Sequence, residues 1–275
     1  MSSEQDAIQR LRSATGWIFD MDGVLYRGTE ALPGVQELFD ELHHRGLPFR
    51  LATNNSMASP TMYVDRLAGM GIAADEGSIL TSALATRQYI LDHIGSTAKL
   101  HVLGMPALTD QLLANGDFTV VDPDSETPDA VVVGLDRDVT YDKLRKADRG
   151  IRYGAQFIAT NGDVTLPTEN GLVPGCGALV AALVASTGRH PVVIGKPEAH
   201  LLEAAVADMG IRRQQCVMVG DRLDTDIAAG HSLGMLTVMV LTGVSTREEI
   251  ASAPIKPDLV YTDLPAVLES LLHEG

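Results

Sequence analysis

The sequence predicts an α/β protein with a doubly wound, Rossmann-like parallel sheet and a second α/β domain inserted into it. Short β-branched apolar runs alternate with longer segments of helical periodicity over most of the 275 residues. Many of the helical segments are followed by a glycine, which suits a left-handed helix C-cap. In addition, polar residues directly follow several apolar runs, at the points where parallel strands line a ligand crevice.

The predicted elements follow one another along the chain. Each predicted strand is a short run of β-branched or other apolar residues. The strands are expected at residues 17–20, 48–53, 99–103, 130–134, 157–160, 191–195, 216–220, 237–241 and 258–261. Each predicted helix has an apolar face that recurs at a period of 3.6 residues. The helices are expected at residues 35–45, 61–70, 83–94, 141–153, 177–186, 200–209 and 225–233.

Composition and charge exclude several classes of protein. Hydrophobic residues make up 45% of the chain and charged residues 21%, which excludes a disordered polar chain. The net charge of −15 disfavours nucleic acids and anionic membranes as partners, because so acidic a chain repels phosphate groups. Neither a secretory signal nor a bilayer-spanning run is recognisable, so a cytoplasmic location is expected. Cys176 and Cys216 lack a zinc-ligand spacing and are expected to be small buried hydrophobes.

The strands that end in polar residues also predict the domain organisation. Two of them lie before residue 55 and two lie after residue 190. The intervening stretch is therefore expected to be an insertion that folds as its own α/β unit. We expect a core domain over residues 1–80 and 187–275, and an inserted cap domain over residues 81–186.

Carboxylates stand at the ends of two predicted strands. Asp20 and Asp22 flank Met21 and precede Gly23, which frees the backbone to leave the sheet, although Asp-x-Asp-Gly is also common in ordinary turns. Asp221 follows the strand at residues 216–220. If Asp221 joins Asp20, like charges ~4 Å apart cost ~4 kcal/mol at an effective dielectric of ~20, so a cation is needed. Oxygen ligands favour a hard ion, and Mg²⁺ suits few carboxylates, water and a substrate phosphate.

The other polar strand ends offer groups that bind an anion. Thr53 has a hydroxyl, Asn54 has a backbone N–H and an amide, and Lys196 has a charge suited to phosphate oxygens. Taken singly, Thr53 also fits a helix cap and Lys196 a surface lysine. Taken together with the carboxylates, they supply a nucleophile, an acid/base, an anion cradle and a metal site, which are the parts that phosphoryl transfer requires.

These segments make the chain similar to the haloacid dehalogenase (HAD) superfamily. Within it, the chain resembles the Mg²⁺-dependent phosphatases of subclass IIA, a group with NagD-like, para-nitrophenyl phosphatase-like and phosphoglycolate or glycerol-3-phosphate phosphatase members. The resemblance covers the chain from about Gly16 to the C-terminus. The segments that carry it are IFDMDGVL at 18–25, ATNNS at 52–56, PGCGA at 174–178, GKP at 195–197 and VGDRLDTDI at 219–227.

The resemblance implies a chemical role for four core residues. Asp20 would attack phosphorus and become an aspartyl phosphate. Asp22 would protonate the leaving alcohol and then deprotonate the attacking water. Thr53 and Lys196 would bind the oxygens of the transferred phosphoryl group. The residue types suit these roles, because a carboxylate nucleophile needs no activating base whereas an alkoxide leaving group needs a proton.

The resemblance also implies the composition of the metal site. Mg²⁺ would be held by Asp20, by the backbone carbonyl of Asp22 and by Asp221. Asp226 would support these ligands from outside the coordination shell. Asp224 is expected to cap the helix that begins near Thr225.

The cap is expected to select the substrate. The segment ATNGDVTLP at 159–167 resembles the family's substrate-specificity loop, so Asn161, Asp163 and Leu166 are expected to contact the substrate, together with Thr53, Asn54 and Lys196 of the core strand ends. Alternatively, the loop merely turns the chain, as Asn-Gly-Asp readily does. Relatives that hydrolyse pyridoxal phosphate have a histidine where Leu166 stands, which argues against that substrate. Because caps of this class often dimerise, a homodimer formed through the cap is one expectation.

The expected function is a Mg²⁺-dependent phosphatase that hydrolyses phosphomonoesters of small metabolites through an aspartyl phosphate. Two alternatives stay open. A phosphotransferase or phosphomutase of the same superfamily would return the phosphoryl group to a second hydroxyl, so phosphate release in excess of isomerisation separates it from a phosphatase. A catalytically silent binding protein would keep the fold but would need neither the nucleophile nor the acid.

Overall fold

The computed structural model describes residues 3–168 and 171–273, and it confirms the predicted α/β class with parallel sheets. The strands are β1 (Gly16–Phe19), β2 (Tyr26–Arg27), β3 (Glu30–Ala31), β4 (Phe49–Thr53), β5 (Ile79–Thr81), β6 (Lys99–Leu103), β7 (Thr119–Val120), β8 (Ala130–Val133), β9 (Gln156–Ala159), β10 (Thr165–Thr168), β11 (Gly171–Pro174), β12 (Val192–Val193), β13 (Cys216–Gly220), β14 (Leu236–Val240) and β15 (Leu259–Tyr261). The α-helices are α1 (Ser3–Arg12), α2 (Val35–His44), α3 (Pro60–Gly69), α4 (Ser82–His93), α5 (Pro106–Leu113), α6 (Tyr141–Arg152), α7 (Cys176–Thr187), α8 (His200–Met209), α9 (Ala228–Ser232), α10 (Arg247–Ser252) and α11 (Leu264–Leu272).

The chain divides into two compact units. The first unit comprises Met1–Thr53, Pro60–Leu80 and Lys196–Gly275, and the second comprises Asn54–Ser59 and Thr81–Gly195. The predicted domains place residues 54–59 and 187–195 in the core, whereas the structure places both segments in the second unit. The difference at residues 187–195 has a physical cause, because β12 pairs in parallel with β9 of the second unit.

The sheet of the first unit is doubly wound. Its strand order is β15-β14-β13-β1-β4-β5, and β1 pairs in parallel with both β13 and β4. From β1 the chain moves to β4 and β5 on one side, and later to β13, β14 and β15 on the other. The strand order therefore reverses between β1 and β13, and in open α/β sheets the carboxyl ends of the strands at such a point form the ligand crevice.

Aromatic packing fixes the end of β1. All four residues of β1 are buried. The ring of Phe19 lies 5.5 Å from that of Phe39 on α2, which in turn stacks 4.5 Å from the ring of Phe49 on β4. Burying each ring contributes roughly 1.5–3 kcal/mol. The next residue, Asp20, extends the ladder, since its backbone N–H donates to the carbonyl of Val219 at 2.9 Å. The backbone that carries Asp20 is thus held by a rigid core.

The predicted strand at residues 191–195 differs most from the structure. Only Val192–Val193 forms a strand, and it pairs with Ile158 and Ala159 of β9 in the other sheet. The prediction that Lys196 follows a strand of the core sheet is therefore wrong. Lys196 instead begins the last segment of the first unit.

The second unit has its own parallel sheet, in the order β12-β9-β8-β6-β7. Separately, β10 and β11 form an antiparallel hairpin in which Leu166 pairs with Val173. The core of this unit includes Val133 of β8, Ile151 of α6 and Cys176 of α7. Cys176 and Cys216 are both free and buried, as the sequence predicts. None of the helices formed by residues 3–168 and 171–273 has the length and apolar character that a bilayer span requires.

Candidate active site

Three carboxylates converge in the first unit. Asp20 directly follows β1, Asp221 directly follows β13, and Asp226 lies in a short π-helix formed by Leu223–Ile227. One carboxylate oxygen of each lies within 4.8 Å of those of the other two. Asp221 and Asp226 are each 1% exposed. The sequence predicts this convergence for Asp20 and Asp221, because parallel strands bring their carboxyl ends to one edge of the sheet.

Lys196 is buried among these carboxylates. Its Nζ lies 2.5 Å from Oδ1 of Asp20 and 2.7 Å from Oδ1 of Asp226, and it donates to the backbone carbonyl of Ala52 at 3.1 Å. Burial opposes the charge of Lys196, but the charges of Asp20 and Asp226 outweigh it and raise the pKa of the ammonium. Lys196 is therefore charged, and it links the end of β4 to the nearby carboxylates.

The negative charge of the cluster exceeds what Lys196 balances. Burial raises the pKa of Asp20, the charge of Lys196 opposes that rise, and the charges of Asp226 and Asp221 add to it. Burial and the charge of Asp226 raise the pKa of Asp221 to about 6. When all three carboxylates are ionised, the cluster has two negative charges in excess, which a divalent cation neutralises.

The donor atoms of the cluster fit such a cation. The oxygen Oδ1 of Asp221 is buried and accepts no hydrogen bond from residues 3–168 or 171–273. A buried oxygen of this kind is costly unless a cation or a proton satisfies it. The carboxylates offer only oxygen ligands, and these suit a hard divalent ion.

Asp226 has a different set of partners. Its Oδ2 accepts the backbone N–H groups of Asp221 at 3.2 Å and Arg222 at 3.1 Å, while its Oδ1 pairs with Lys196. Both oxygens are thus engaged by the protein, which is typical of a carboxylate that supports a site. The predicted capping role of Asp224 is wrong, because its carboxylate pairs with the guanidinium of Arg222 at 2.9 Å and the π-helix begins earlier.

The side chain of Asp22 lies outside the group formed by Asp20, Asp221 and Asp226. Although Asp22 is exposed to solvent, nearby protein atoms displace part of its water and raise its pKa, while the charges of Arg66 and Arg27 oppose that rise. A carboxyl group with a raised pKa holds a proton at higher pH than an ordinary aspartate does, as a general acid requires.

Thr53 ends β4 and is 9% exposed. It directly follows Ala52, whose carbonyl accepts the hydrogen bond from Lys196. Lys196 is therefore hydrogen-bonded to the residue next to Thr53 at the end of β4.

The second unit brings together three of the residues predicted to bind substrate. Asn161 donates its amide to the backbone carbonyl of Asn54 at 2.8 Å, and the amide of Asn54 donates to Oδ2 of Asp163 at 3.3 Å. The backbone N–H of Asp163 in turn donates to Oδ1 of Asn161 at 3.2 Å. Leu166 lies in β10, where its partly buried side chain packs against the hydrophobic core of the unit.

The segment after β14 also contacts the carboxylate cluster. The backbone N–H of Val244 donates to Oδ2 of Asp221 at 2.7 Å, and that of Ser245 donates to the carbonyl of Asp221 at 3.0 Å. This segment is not among the residues that the sequence predicts for the site. The signal available was Thr242-Gly243 after an apolar run, but nothing in the sequence pairs that run with the strand that carries Asp221.

Family models and known proteins match this chain. A family model described as haloacid dehalogenase-like hydrolase matches residues 17–117, and a HAD-hydrolase-like model matches residues 193–267. The chain is 39% identical over 261 residues to a protein named acid sugar phosphatase from Staphylococcus saprophyticus. The aligned residues make up 95% of this chain and 99% of that protein.

Two solved structures are similar over almost the whole chain. A hypothetical protein from Pyrococcus horikoshii OT3 has 45% identity and a TM-score of 0.88, covering 94% of this chain and 99% of that one. A p-nitrophenyl phosphatase from Archaeoglobus fulgidus has 34% identity and a TM-score of 0.88, covering 94% of this chain and 100% of that one.

Proposed function

Since this chain belongs to the haloacid dehalogenase-like hydrolases, within their phosphatase branch, we propose that it hydrolyses small-metabolite phosphomonoesters with Mg²⁺ and an aspartyl phosphate on Asp20. The observation that carries the proposal is the buried cluster of Asp20, Asp221, Asp226 and Lys196. Because Lys196 balances only one of the three carboxylates, the cluster offers both a positive charge and the excess negative charge that holds a cation. Phosphoryl transfer needs both, because it depends on positioning and charge neutralisation.

The residues that would hold the cation are Asp20, Asp221 and the backbone carbonyl of Asp22. Asp226 and Lys196 would stay outside the coordination shell and keep the carboxylates in place. When bound, Mg²⁺ supplies the positive charge that offsets the two excess negative charges and polarises the phosphoryl group.

In the first step, a carboxylate oxygen of Asp20 forms a bond to phosphorus and the bond from phosphorus to the ester oxygen breaks. Asp22, in its protonated form, gives its proton to that departing oxygen, and an alcohol leaves. Lys196 holds Oδ1 of Asp20. Its positive charge and the Thr53 hydroxyl would stabilise the negative charge on the phosphoryl oxygens.

In the second step, water attacks phosphorus and the bond from phosphorus to Asp20 breaks. Asp22, now ionised, takes the proton of the water, so that inorganic phosphate leaves and both aspartates return to their starting states. The exposed position of Asp22 and its raised pKa suit this alternation between acid and base.

The substrate class follows from the polar group in the second unit. We propose that the amides of Asn54 and Asn161 and the carboxylate of Asp163, which the sequence predicts to bind substrate, contact the organic part of the ester. An ionised carboxylate accepts hydrogen bonds from hydroxyl groups and repels other carboxylates. These residues favour a hydroxylated substrate, such as a sugar or polyol phosphate, over a carboxylated one.

The activity is tested by measuring phosphate release from a panel of sugar phosphates, glycerol phosphate, phosphoglycolate and nucleoside monophosphates. We expect one inorganic phosphate for each alcohol formed. Formation of an isomeric phosphate ester without release of phosphate would contradict the proposal and favour a mutase.

Removing the metal should abolish turnover. We expect EDTA to eliminate activity and Mg²⁺ to restore it, while Ca²⁺ supports little turnover because its looser coordination allows bidentate binding of Asp20, which occupies the attacking oxygen. The measurement is steady-state phosphate release after chelation and re-addition of each ion. Full activity in the exhaustively chelated protein would rule out the proposed metal.

Replacing Asp163 with asparagine should change which substrates are preferred. The amide still accepts a hydrogen bond from Asn54 but has lost the negative charge. We expect kcat/KM for phosphoglycolate to rise relative to glycerol phosphate by roughly 5-fold, the equivalent of one modest interaction. Hydrolysis of para-nitrophenyl phosphate should change much less. Asp92→Asn, an exposed site in the second unit, is the control, and parallel changes for all substrates would show that Asp163 is structural.

A further inference from the structure

The two carboxylate oxygens of Asp221 have different surroundings. Oδ2 accepts the backbone N–H of Val244 at 2.7 Å. Oδ1 is buried and accepts no hydrogen bond from any residue within 3–168 and 171–273. A carboxylate that is held through one oxygen presents the other in a fixed direction.

Oδ2 of Asp221 occupies space that is free because residues 23 and 243 are glycines. A Cβ atom on Gly243 would lie 1.8 Å from Oδ2 of Asp221, and one on Gly23 would lie 2.6 Å from it. Gly23 also has a φ of 85°, which by itself favours glycine. Gly243 is not among the glycines with positive φ, so its backbone conformation does not require glycine. What requires glycine at position 243 is the carboxylate that lies against it.

We call residues 242–245 the 242–245 turn. Hydrogen bonds hold this turn to Asp221 and to residues near it. The hydroxyl of Thr242 donates to the carbonyl of Gly23 at 2.6 Å. The backbone N–H of Ser245 donates to the carbonyl of Asp221 at 3.0 Å, and the Ser245 hydroxyl accepts the N–H of Leu223 at 3.1 Å. The turn therefore fixes both the backbone and the side chain of Asp221.

We propose that the 242–245 turn is a positioning element for cation binding, with Gly243 as its key residue. The Val244 N–H of the turn donates a hydrogen bond to Oδ2 of Asp221, so Oδ1 is the oxygen that binds the cation. The absence of a side chain at Gly243 lets the carboxylate lie against the turn. This inference rests on the proposed role of Asp221 as a metal ligand.

The test compares Gly243→Ala with Gly69→Ala in Mg²⁺ titrations by calorimetry, with no substrate present. Gly69 is a suitable control because its backbone also lies outside the positive-φ region and a Cβ there meets nothing within 4 Å. We expect Gly243→Ala to weaken Mg²⁺ binding about 10- to 100-fold, the usual effect of disturbing a residue that orients a ligand. Gly69→Ala should bind Mg²⁺ as the wild type does.

A second variant covers the case in which Gly243→Ala does not fold. Thr242→Val keeps the shape of the side chain but removes the hydrogen bond to Gly23, so we expect a loss of Mg²⁺ affinity of roughly 3- to 10-fold at an unchanged circular dichroism spectrum. Failure of the wild type to bind Mg²⁺ would contradict the proposed function itself. Wild-type affinity in folded Gly243→Ala, or in Thr242→Val if the former does not fold, would overturn only the role of the turn.

Discussion

Replacing Asp20 with asparagine is expected to lower kcat by roughly four orders of magnitude or more while the fold is kept. The amide has the shape of the carboxylate but is neither a nucleophile nor a charged ligand. The buried ammonium of Lys196 keeps a charged partner in the variant, since Asp226 lies 2.7 Å from its Nζ. Asp20 is also at the margin of the cluster, because its side chain is 16% exposed whereas that of Asp226 is 1% exposed.

The loss is measured as single-turnover and steady-state phosphate release, with thermal unfolding recorded in parallel. Asp6→Asn, at an exposed site in the first turn of α1, controls for the change of one charge in the same unit. Near-normal activity of a folded Asp20→Asn protein would mean that another group attacks phosphorus.

Replacing Lys196 with methionine is expected to impair both catalysis and stability. The side chain of Lys196 is 2% exposed and is paired with two carboxylates, so its loss leaves buried negative charge without compensation. Breaking a buried pair by removal of one partner typically costs about 3–5 kcal/mol. We expect a decrease of about that size in the free energy of unfolding in EDTA, and a fall in kcat because the phosphoryl oxygens lose a positive charge.

The loss of stability in Lys196→Met is measured by urea denaturation at neutral pH, with and without Mg²⁺. Because a bound cation takes over part of the charge compensation, Mg²⁺ should restore more stability to Lys196→Met than it adds to the wild type. Lys256→Met, an exposed lysine of the first unit, should change the free energy of unfolding little. A loss of less than about 1 kcal/mol in Lys196→Met would show that Lys196 does not compensate the cluster.

Much of the core site could be predicted from the sequence because the relevant strands are continuous apolar runs. Residues 216–220 form a strand with the predicted bounds, and Asp221 follows it. Asp20 likewise follows β1, although the prediction placed it inside the strand. A run of buried apolar residues that ends in a carboxylate is a local pattern. Because parallel strands have their carboxyl ends at the same edge of the sheet, the pattern also predicts the edge at which the carboxylate lies.

The sheet to which a short strand belongs could not be predicted in this way. The apolar run at residues 191–195 predicts a strand of the core sheet directly before Lys196. In the structure, Val192–Val193 instead pairs with β9 of the second unit. Pairing is decided by non-local contacts that a single sequence does not display. The predicted end of the inserted domain at residue 186, rather than at Gly195, follows from the same error.

The other features absent from the prediction differ in their cause. The helix α11 does have a local start signal, with Asp263 as its cap and a proline in the first turn. The two-residue strand β7 has too few residues for a periodic pattern. Gly243 is different again, because its importance lies in a contact with Asp221, which is 22 positions earlier in the chain.

Trapping the phosphorylated enzyme tests the central claim most directly. The wild-type protein, saturated with Mg²⁺, is mixed with ³²P-labelled substrate and quenched in acid within milliseconds, and the labelled peptide is identified by mass spectrometry. We expect label in near-stoichiometric amount on Asp20, with the hydroxylamine sensitivity of an acyl phosphate, and none in Asp20→Asn. Phosphate release in a single turnover without labelled protein, or label on another residue, would contradict the proposed mechanism.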